Sequence, residues 1–266
     1  MKLTTFIRIA GLAISMAGLA FADNVMLYNT VNNATSTTGA NKVSFAMTGA
    51  GTNNQRLVGQ NISISTLSSL SPGPITLRNC FSCVLNFSSG VGASYVAGTP
   101  GPLGGRPNQI WTFASGGAAS ITGAVDSNNN GFLDAGDIGG GASMTLLSGT
   151  FLNSPAVTMF PIKPTDYRVA AGLILNSQNT QLNQFFFGSP LAGPVWTGTL
   201  NLNFNPFGTP VPGGGTLGLP TFTSKTIISG SLVNTSPVPE PSSILLFSAV
   251  TGFLGIGLAM RRRRVQ

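Results

Sequence analysis

The sequence contains no histidine and very few charged residues, and these two absences exclude most catalytic sites. Asp, Glu, Lys and Arg together make up 7% of its 266 residues. Without histidine there is no Ser-His-Asp triad, no Cys-His pair and no zinc site built on imidazole. A glycosidase needs two carboxyl groups flanking a cleft, and outside the motifs described below the acidic residues are Asp23 and Asp166. We therefore expect a protein that is not an enzyme.

The N-terminus has the pattern of a secretory signal peptide. Lys2 and Arg8 form a basic region, Ile9 to Ala20 an apolar region, and Ala20-Phe21-Ala22 a cleavage site of small residues. The alternative is an uncleaved N-terminal anchor. We expect residues 1–22 to be removed and the mature chain to be exported.

Cysteine is as scarce as charge, since Cys80 and Cys83 are the two in the chain. In an exported protein this pair predicts a local disulfide that closes a tight turn. A thioredoxin-like redox site needs a helix N-terminus in a βαβ setting, which the surrounding pattern does not indicate. Zinc needs about four ligands, and no second cysteine pair exists.

The formal charge of +7 comes largely from the two ends of the chain. Lys2, Arg8 and four terminal arginines account for six of the thirteen basic residues, and residues 23–237 keep a net charge of +2. No basic cluster or basic-aromatic stripe remains between the ends. The electrostatic pattern of a nucleic-acid-binding protein is therefore absent, and we expect no nucleic-acid partner.

Between the ends, short windows alternate apolar and polar residues with the period of two that is typical of strands. The clearest is Thr199 to Phe204, which places Leu200, Leu202 and Phe204 on one face. The other windows are Val43 to Met47, Asn61 to Thr66, Val84 to Phe87, Gln109 to Phe113, Ser120 to Val125, Ser143 to Leu147, Val169 to Leu175 and Thr221 to Val233. Glycine- and proline-rich turns separate them. The fold class is therefore predicted to be all-β, an antiparallel β-sandwich of the jelly-roll type occupying residues 23–233.

One polar stretch carries the spacing of a calcium-binding loop. Numbered from Asp126, its oxygen ligands fall at positions 1, 3, 5, 9 and 12, with Gly131 at position 6. Phe132, at position 7, can offer its backbone carbonyl to a hard cation. The predicted ligands are Asp126, Asn128, Asn130, Phe132, Asp134 and Asp137. The loop resembles those of dockerin and other bacterial calcium loops, where Asp at position 12 is usual. Glycines on both sides argue against flanking helices, so a connection between two strands is expected, and the alternative is a polar turn without metal.

The C-terminus combines a proline-flanked acidic motif, an apolar segment and a basic end. Val238, Pro239, Glu240 and Pro241 precede an uncharged stretch from Ser242 to Met260, followed by Arg261, Arg262, Arg263 and Arg264. As a helix, these 19 residues would be roughly 28 Å long, close to a bilayer core of about 30 Å. The arginines would hold their end on the cytoplasmic side. We expect residues 234–241 to be a linker and residues 242–266 a transmembrane helix with a basic tail.

This arrangement resembles the PEP-CTERM sorting signal of exopolysaccharide-producing Gram-negative bacteria. The resemblance implies recognition by an exosortase, a membrane-embedded transpeptidase-like enzyme, with removal of the tail near Glu240. It also implies anchoring in the inner membrane facing the periplasm before processing, and then release to the cell surface or extracellular matrix. The alternative is an ordinary C-terminal anchor that keeps its arginines.

Two functions fit these expectations. The first is an exported, non-enzymatic surface or matrix protein in which calcium makes one strand connection rigid. The second is a carbohydrate-binding module for exopolysaccharide that uses exposed aromatic side chains such as Trp111, Trp196 or Phe185 to Phe187. The simplest interpretation of Phe185 to Phe187 is, however, a strand edge buried in the core.

Overall fold

The computed structural model describes residues 24–35, 40–47, 55–70, 75–97, 109–159, 167–188, 196–206 and 221–236. All of them belong to the unit Asn24–Ser236. The predicted signal peptide, the sorting motif at 238–241 and the predicted membrane helix with its arginines lie outside these residues. Within the described ranges, no helix has both the length and the apolar character needed to cross a membrane.

The described residues form strands and one short helix. These elements are β1 Asn24–Thr30, β2 Ala34–Thr35, β3 Lys42–Met47, β4 Gln55–Ser69, β5 Thr76–Ser88, β6 Ala93–Ala97, β7 Gln109–Phe113, β8 Gly116–Val125, β9 Met144–Phe151, β10 Ala156–Met159, β11 Tyr167–Gln178, α1 Thr180–Phe187, β12 Trp196–Pro206 and β13 Ser224–Ser236. Every window predicted to be a strand overlaps one of them. The strand β13 continues to Ser236, three residues beyond the predicted end of the body at 233, because Asn234 and Ser236 are buried inside the sheet and are not part of a linker.

The architecture is a closed antiparallel barrel and not the predicted sandwich of two sheets. Eight strands follow one another in the order β12, β13, β1, β4, β5, β8, β9 and β11, and pairing between β11 and β12 closes the ring. Every pair in the ring is antiparallel. A period of two tells which face of a strand is buried, but it does not tell which strand lies beside it, so the sequence pattern left the closure open.

The long strands curve around the barrel with the help of β-bulges. The register shifts within the pairs β1–β4, β4–β5, β5–β8, β8–β9, β11–β12 and β12–β13. Each bulge adds a residue to one strand, which bends it and increases its twist. Closing a sheet requires this tilt and stagger, so the bulges explain why strands of up to 15 residues wrap into a ring.

The inner face of the barrel holds the hydrophobic core. On β12 the predicted alternation is confirmed, because Leu200, Leu202 and Phe204 are fully buried while Thr199 is exposed. The same pattern places Leu57, Ile62, Leu85, Ile121 and Leu147 inside from other strands.

The end of the barrel near the start of β11 is closed by aromatic rings, and we call it the aromatic end. Here β10 pairs with both β11 and β7, and β7 pairs with β6. Trp111 lies 5.2 Å from Phe222 and 5.3 Å from Tyr95, measured between ring centroids. Phe222 also packs against Phe113 and Phe204, at 6.4 and 5.9 Å. Trp111, Phe113 and Phe204 are buried, which contradicts the expectation that Trp111 is an exposed binding residue.

The opposite end, called the helix end, is where β11 stops at Gln178, β12 begins at Trp196 and β13 stops at Ser236. The helix α1 connects β11 to β12 at this end. Asn179 caps its N-terminus by accepting a hydrogen bond from the Gln181 backbone N–H, and Gly188, with φ of 68°, ends it in the left-handed conformation.

The prediction of a strand edge at Phe185 to Phe187 is therefore wrong. The helix has eight residues, too few for a helical repeat to stand out from the neighbouring strands.

Candidate functional site

The predicted calcium loop lies between β8 and β9, so the expected connection between two strands is confirmed. It is located at the helix end of the barrel. Its two sides are held together by Val125 and Ile138, whose backbone groups exchange hydrogen bonds of 3.0 and 3.1 Å. Ile138 is buried against the core, so it anchors the far side of the loop. A further bond from the Asp126 N–H to the Asn79 carbonyl ties the loop to β5. The loop is thus fixed to the barrel on both sides.

Asp126 organises the first half of the loop from a fully buried position. One carboxylate oxygen accepts the Asn130 N–H at 3.1 Å, and the other accepts the Gly131 N–H at 2.9 Å. These bonds curl residues 126–131 around the side chain. Gly131 has φ of 80°, a conformation that side chains strongly disfavour, which is the physical reason for glycine at this position.

Asp137 joins the two halves of the loop. Its carboxylate accepts the Ser127 N–H at 3.1 Å with one oxygen and the Asp134 N–H at 2.9 Å with the other. Asp137 is buried as well. Because both buried carboxylates are occupied by backbone donors, the loop has its shape from its own hydrogen bonds.

Asp134 is half-buried and receives the remaining polar groups of the loop. The side-chain amide of Asn130 donates to it at 2.6 Å, that of Asn128 at 3.3 Å, and the Gly136 N–H at 2.7 Å. The Asn130 amide, the Gly136 N–H and the Asn128 amide, in decreasing order, lower the pKa of the Asp134 carboxyl below its ordinary value. Hydrogen bonds to a carboxylate favour its charged form.

The predicted side-chain ligands therefore gather in one hydrogen-bonded network. Within the described ranges, no three acidic or cysteine side chains converge as a metal-holding group, because Asp126 and Asp137 point toward backbone N–H groups. Each carboxylate oxygen can still accept a second partner. The two asparagine amides present nitrogen to Asp134, while their oxygens accept the Asn130 and Phe132 N–H groups. The donor set fits a hard cation such as calcium, whose ligands are carboxylate and amide oxygens.

The Phe132 side chain is exposed at the tip of the loop, although its backbone N–H belongs to the hydrogen-bonded network. Its N–H donates to the Asn130 side-chain oxygen at 2.8 Å, while 76% of the residue is exposed. Leu133 beside it is exposed too. A pair of bare apolar side chains at the tip of a polar loop has no role in holding its shape.

Cys80 and Cys83 form a disulfide, with Cα atoms 5.5 Å apart. The sequence pattern predicts a disulfide that closes a tight turn, and in the structure the disulfide spans a bulge inside β5, where the register with β8 shifts. Ser82, between the two cysteines, has φ of 50°. Cys80 is the register partner of Val125, the residue that directly precedes Asp126. The disulfide therefore fixes a bulge beside the start of the predicted calcium loop.

Beneath α1, the barrel interior is lined with amides that the sequence patterns did not single out. Asn176 and Asn234 form a reciprocal pair with hydrogen bonds of 2.7 and 3.0 Å. By contrast, the side-chain amides of Gln178 and Asn183 and the indole N–H of Trp196 are buried with no hydrogen-bond partner. The alternation on β11 places Asn176 and Gln178 on one face, and this was the signal that could have revealed them.

The aromatic residues predicted to bind carbohydrate are mostly unavailable. Trp196, like Trp111, is fully buried, and this part of the prediction is wrong. Phe186 and Phe187 are half-buried and pack against the core. Phe185 is 36% exposed, and the Arg78 guanidinium lies 5.4 Å from the centre of its ring. Arg78 also donates to the Ser127 carbonyl at 3.2 Å, which links α1 to the calcium loop.

The fold defines the body as a closed antiparallel β-barrel with a loop and a capping helix at one end. Comparison with protein families identifies the C-terminal segment, because the PEP-CTERM protein-sorting motif matches residues 237–264. The C-terminal segment thus carries a PEP-CTERM protein-sorting motif, and the motif implies export, membrane-anchored sorting and recognition by an exosortase. Comparisons with curated proteins and with solved structures found no match to this chain.

Proposed function

We propose that this protein is a non-enzymatic component of the cell surface or extracellular matrix, released there after an exosortase removes its tail. The sorting motif at residues 237–264 carries the proposal. In support, the sequence has no histidine and few carboxylates, and two of those carboxylates, Asp126 and Asp137, are buried and committed to holding a loop.

Intact mass and terminal peptide mapping of the protein from its native envelope and medium test the proposal. We expect a chain that begins near Asp23 and ends near residues 238–241. A chain from the medium that keeps Arg261 to Arg264 would contradict processing. Substituting Glu240→Gln removes the single acid of the motif and should leave the tail attached, whereas Asp166→Asn removes a carboxylate elsewhere and should not.

The candidate calcium loop would contribute stability to the exported body. Its ligands would be the side chains of Asp126, Asn128, Asn130, Asp134 and Asp137 and the backbone carbonyl of Phe132, and the cation would join the half-buried Asp134 to the buried part of the loop. Extracellular sites of this kind bind calcium with a Kd of about 10⁻⁴–10⁻³ M. For a Kd of about 10⁻⁴ M, calcium at roughly 100 times that concentration would stabilise the fold by about 2.7 kcal/mol.

Thermal unfolding with calcium and with a chelator measures this contribution. We expect calcium to raise the Tm, and Asp134→Ala to abolish the rise, because this half-buried side chain lies outside the hydrophobic core and can be removed without opening it. Asp166→Ala is the matched control, since it removes an equal charge outside the loop. An equal Tm in calcium and in chelator would contradict the proposal.

Carbohydrate binding is the second candidate function, and the exposure of Phe132 and Phe185 favours it. Sugars stack on the faces of such aromatic rings. A glycan array in millimolar calcium should then show binding that Phe132→Ala or Phe185→Ala weakens, with Val96→Ala as a control at an exposed apolar position elsewhere. The absence of binding to any glycan would count strongly against a carbohydrate-binding module.

The non-enzymatic assignment has its own test. Measurable hydrolysis of polysaccharide by the purified chain that disappears in Asp166→Asn would contradict it. We expect no such turnover.

A further inference from the structure

The first and the last strand residue of the barrel body both lie at the helix end. Asn24, the first residue of β1, is the register partner of Ser236, the last residue of β13. Next to them, Met26 pairs with Ser69, so the turn from β4 to β5 is at the same end. The sorting segment therefore leaves the body from the end that carries α1 and the calcium loop.

The connection from the body to the apolar segment is short. Residues 237–241 separate Ser236 from Ser242, and a fully extended chain covers roughly 20 Å over that interval. Whatever the path of the linker, its covalent length sets this limit. When the apolar segment is in a bilayer, Ser236 must lie within roughly 20 Å of the point where the segment enters.

The surface next to this exit point carries exposed apolar side chains. Leu70 follows β4 and donates its N–H to the Val25 carbonyl at 2.9 Å, which places it beside the start of β1. Ile75 precedes β5, and Leu77 is the register partner of Ser68. Their exposed fractions are 44%, 69% and 54%.

The calcium loop extends this apolar surface. Phe132 and Leu133 are 76% and 44% exposed, and the loop leaves β8 at Val125, which pairs with Cys80 only a few residues from Leu77. The ring of Phe185, on α1, contacts the guanidinium of Arg78, which also donates to the Ser127 carbonyl of the loop. We call Leu70, Ile75, Leu77, Phe132, Leu133 and Phe185 the apolar rim.

Charge does not oppose contact of the rim with lipid. The described charged side chains here are Arg78, Asp126, Asp134 and Asp137. Asp126 and Asp137 are buried within the loop, which leaves Arg78 and Asp134, of opposite sign, near the surface. A surface of this kind suits a zwitterionic lipid face, where apolar side chains enter about 5–10 Å into the boundary between headgroups and acyl chains.

We propose that the apolar rim contacts the lipid surface while the sorting segment is still attached, so that the helix end faces the membrane and the aromatic end points away. This inference rests on the membrane-anchored sorting that the motif implies and adds an orientation for the body. Phe132 and Ile75, the most exposed members of the rim, enter the lipid interface. The orientation also holds residues 237–241 close to the bilayer, where a membrane-embedded exosortase acts.

Tryptophan fluorescence in the full chain tests this orientation. Both native tryptophans are fully buried, so one new tryptophan on the surface reports its own surroundings. The probe is Phe132→Trp and the matched control is Val96→Trp, which is 60% exposed on β6. Each chain is reconstituted in phosphatidylcholine vesicles, with and without bromine on the acyl chains as a quencher. We expect bromine to remove most of the new emission of Phe132→Trp and to leave that of Val96→Trp unchanged.

The other outcomes are distinguishable. Equal quenching at both positions, or none at position 132, overturns the orientation, and Ile75→Trp repeats the test at a second site if Phe132→Trp alters the loop. Flotation of the vesicles is a separate readout: a chain that floats without quenching keeps its anchor and loses the proposed contact. A chain that does not float overturns both the contact and the membrane-anchored step of the proposed function. Protection of position 132 only when an exosortase is present would assign the rim to a protein partner and overturn the lipid contact.

Discussion

The two ends of the barrel fill their interior with different chemistry. At the aromatic end, Trp111, Phe113, Phe204 and Phe222 pack ring against ring. At the helix end, the space under α1 holds amides, of which only the pair formed by Asn176 and Asn234 is mutually satisfied. Burial of apolar rings is stabilising in proportion to area, whereas a buried amide without a partner is destabilising.

The comparison indicates that the aromatic end contributes mainly stability, whereas the candidate functional features lie at the helix end. Ring packing at the aromatic end makes no demand on hydrogen bonds, and the one buried amide without a partner among the described residues there is Gln55, at the start of β4. The helix end combines unpartnered amides, a loop held by its own side chains and the exit of the sorting segment. Regions that bind or move are drawn from the less stable parts of a protein, so we expect the helix end to open before the aromatic end.

The largest expected effect comes from removing a ring at the aromatic end. Trp111→Ala deletes a fully buried side chain that contacts Phe222 and Tyr95, and such deletions cost about 3–5 kcal/mol of unfolding free energy. Denaturant unfolding measures the loss. Ile110→Ala, at the neighbouring outward position, should change stability by less than about 0.5 kcal/mol, and a similar loss for both variants would contradict the packing described here.

A smaller loss is expected from breaking the amide pair at the helix end. Asn176→Leu leaves Asn234 buried without its partner, which costs about 1–3 kcal/mol. The double variant Asn176→Leu with Asn234→Leu should lose less than the sum of the single variants, because neither member of the pair is then left as an amide without its partner. A double-mutant cycle on the unfolding free energy checks this, and strict additivity would mean that the pair contributes nothing.

The unpartnered amide should respond in the opposite direction. Gln178→Met keeps the length of the side chain and removes two buried polar atoms that have no hydrogen-bond partner. We expect the unfolding free energy to stay unchanged or to rise by about 1 kcal/mol. Comparison with Asn176→Leu in the same assay makes the contrast sharp, since both residues face the interior from β11. A loss as large as that of Asn176→Leu would show that Gln178 has a partner.

The smallest effect concerns Asp134, the half-buried acid of the loop. Hydrogen bonds from Asn130, Gly136 and Asn128 lower the pKa of Asp134, so its contribution to stability is present above the unfolded pKa and is lost as the pH falls through the folded pKa. Asn130→Ala removes the strongest of these bonds and should raise the pKa of Asp134 toward its ordinary value. NMR titration of the carboxyl carbon measures the shift, with Asn153→Ala as a control, and an unchanged midpoint would contradict the network.

The sequence predicted the strands well because alternation records burial directly. Leu200, Leu202 and Phe204 repeat every second residue, and this pattern needs only one strand and a core. Closure of the barrel depends on β11 pairing with β12 and on bulges such as that between Ala170 and Leu173, and no local pattern encodes such a distant partner. The helix α1 was missed since its caps, Asn179 and Gly188, enclose too few residues to show a repeat.

The candidate site also has a part that could be predicted from the sequence and a part that could not. The loop at residues 126–137 could be located from the sequence because its residues are contiguous and their spacing has a chemical meaning, and calcium binding by this loop stays a prediction. The amides under α1 come from three separate elements, β11, α1 and β13, and only the fold brings them to one end. Trp196 was misjudged for the opposite reason, since an aromatic residue suggests a binding surface as readily as a core position until its neighbours are known.

The closed ring also determines what remains once the tail is removed. The strand β13, which ends at Ser236, is hydrogen-bonded to β1 on one side and β12 on the other, so a cut beyond Ser236 removes no strand and uncovers none of the ring. A ring without open edges offers no template on which another chain could add a strand. Copies released at high local concentration in a matrix would therefore stay separate along the ring. Among the described strands, β6 pairs with β7 alone, and β3 pairs with β4 and otherwise forms only an isolated bridge from Ser44 to Thr223. These two are the edges at which strand-to-strand association would begin.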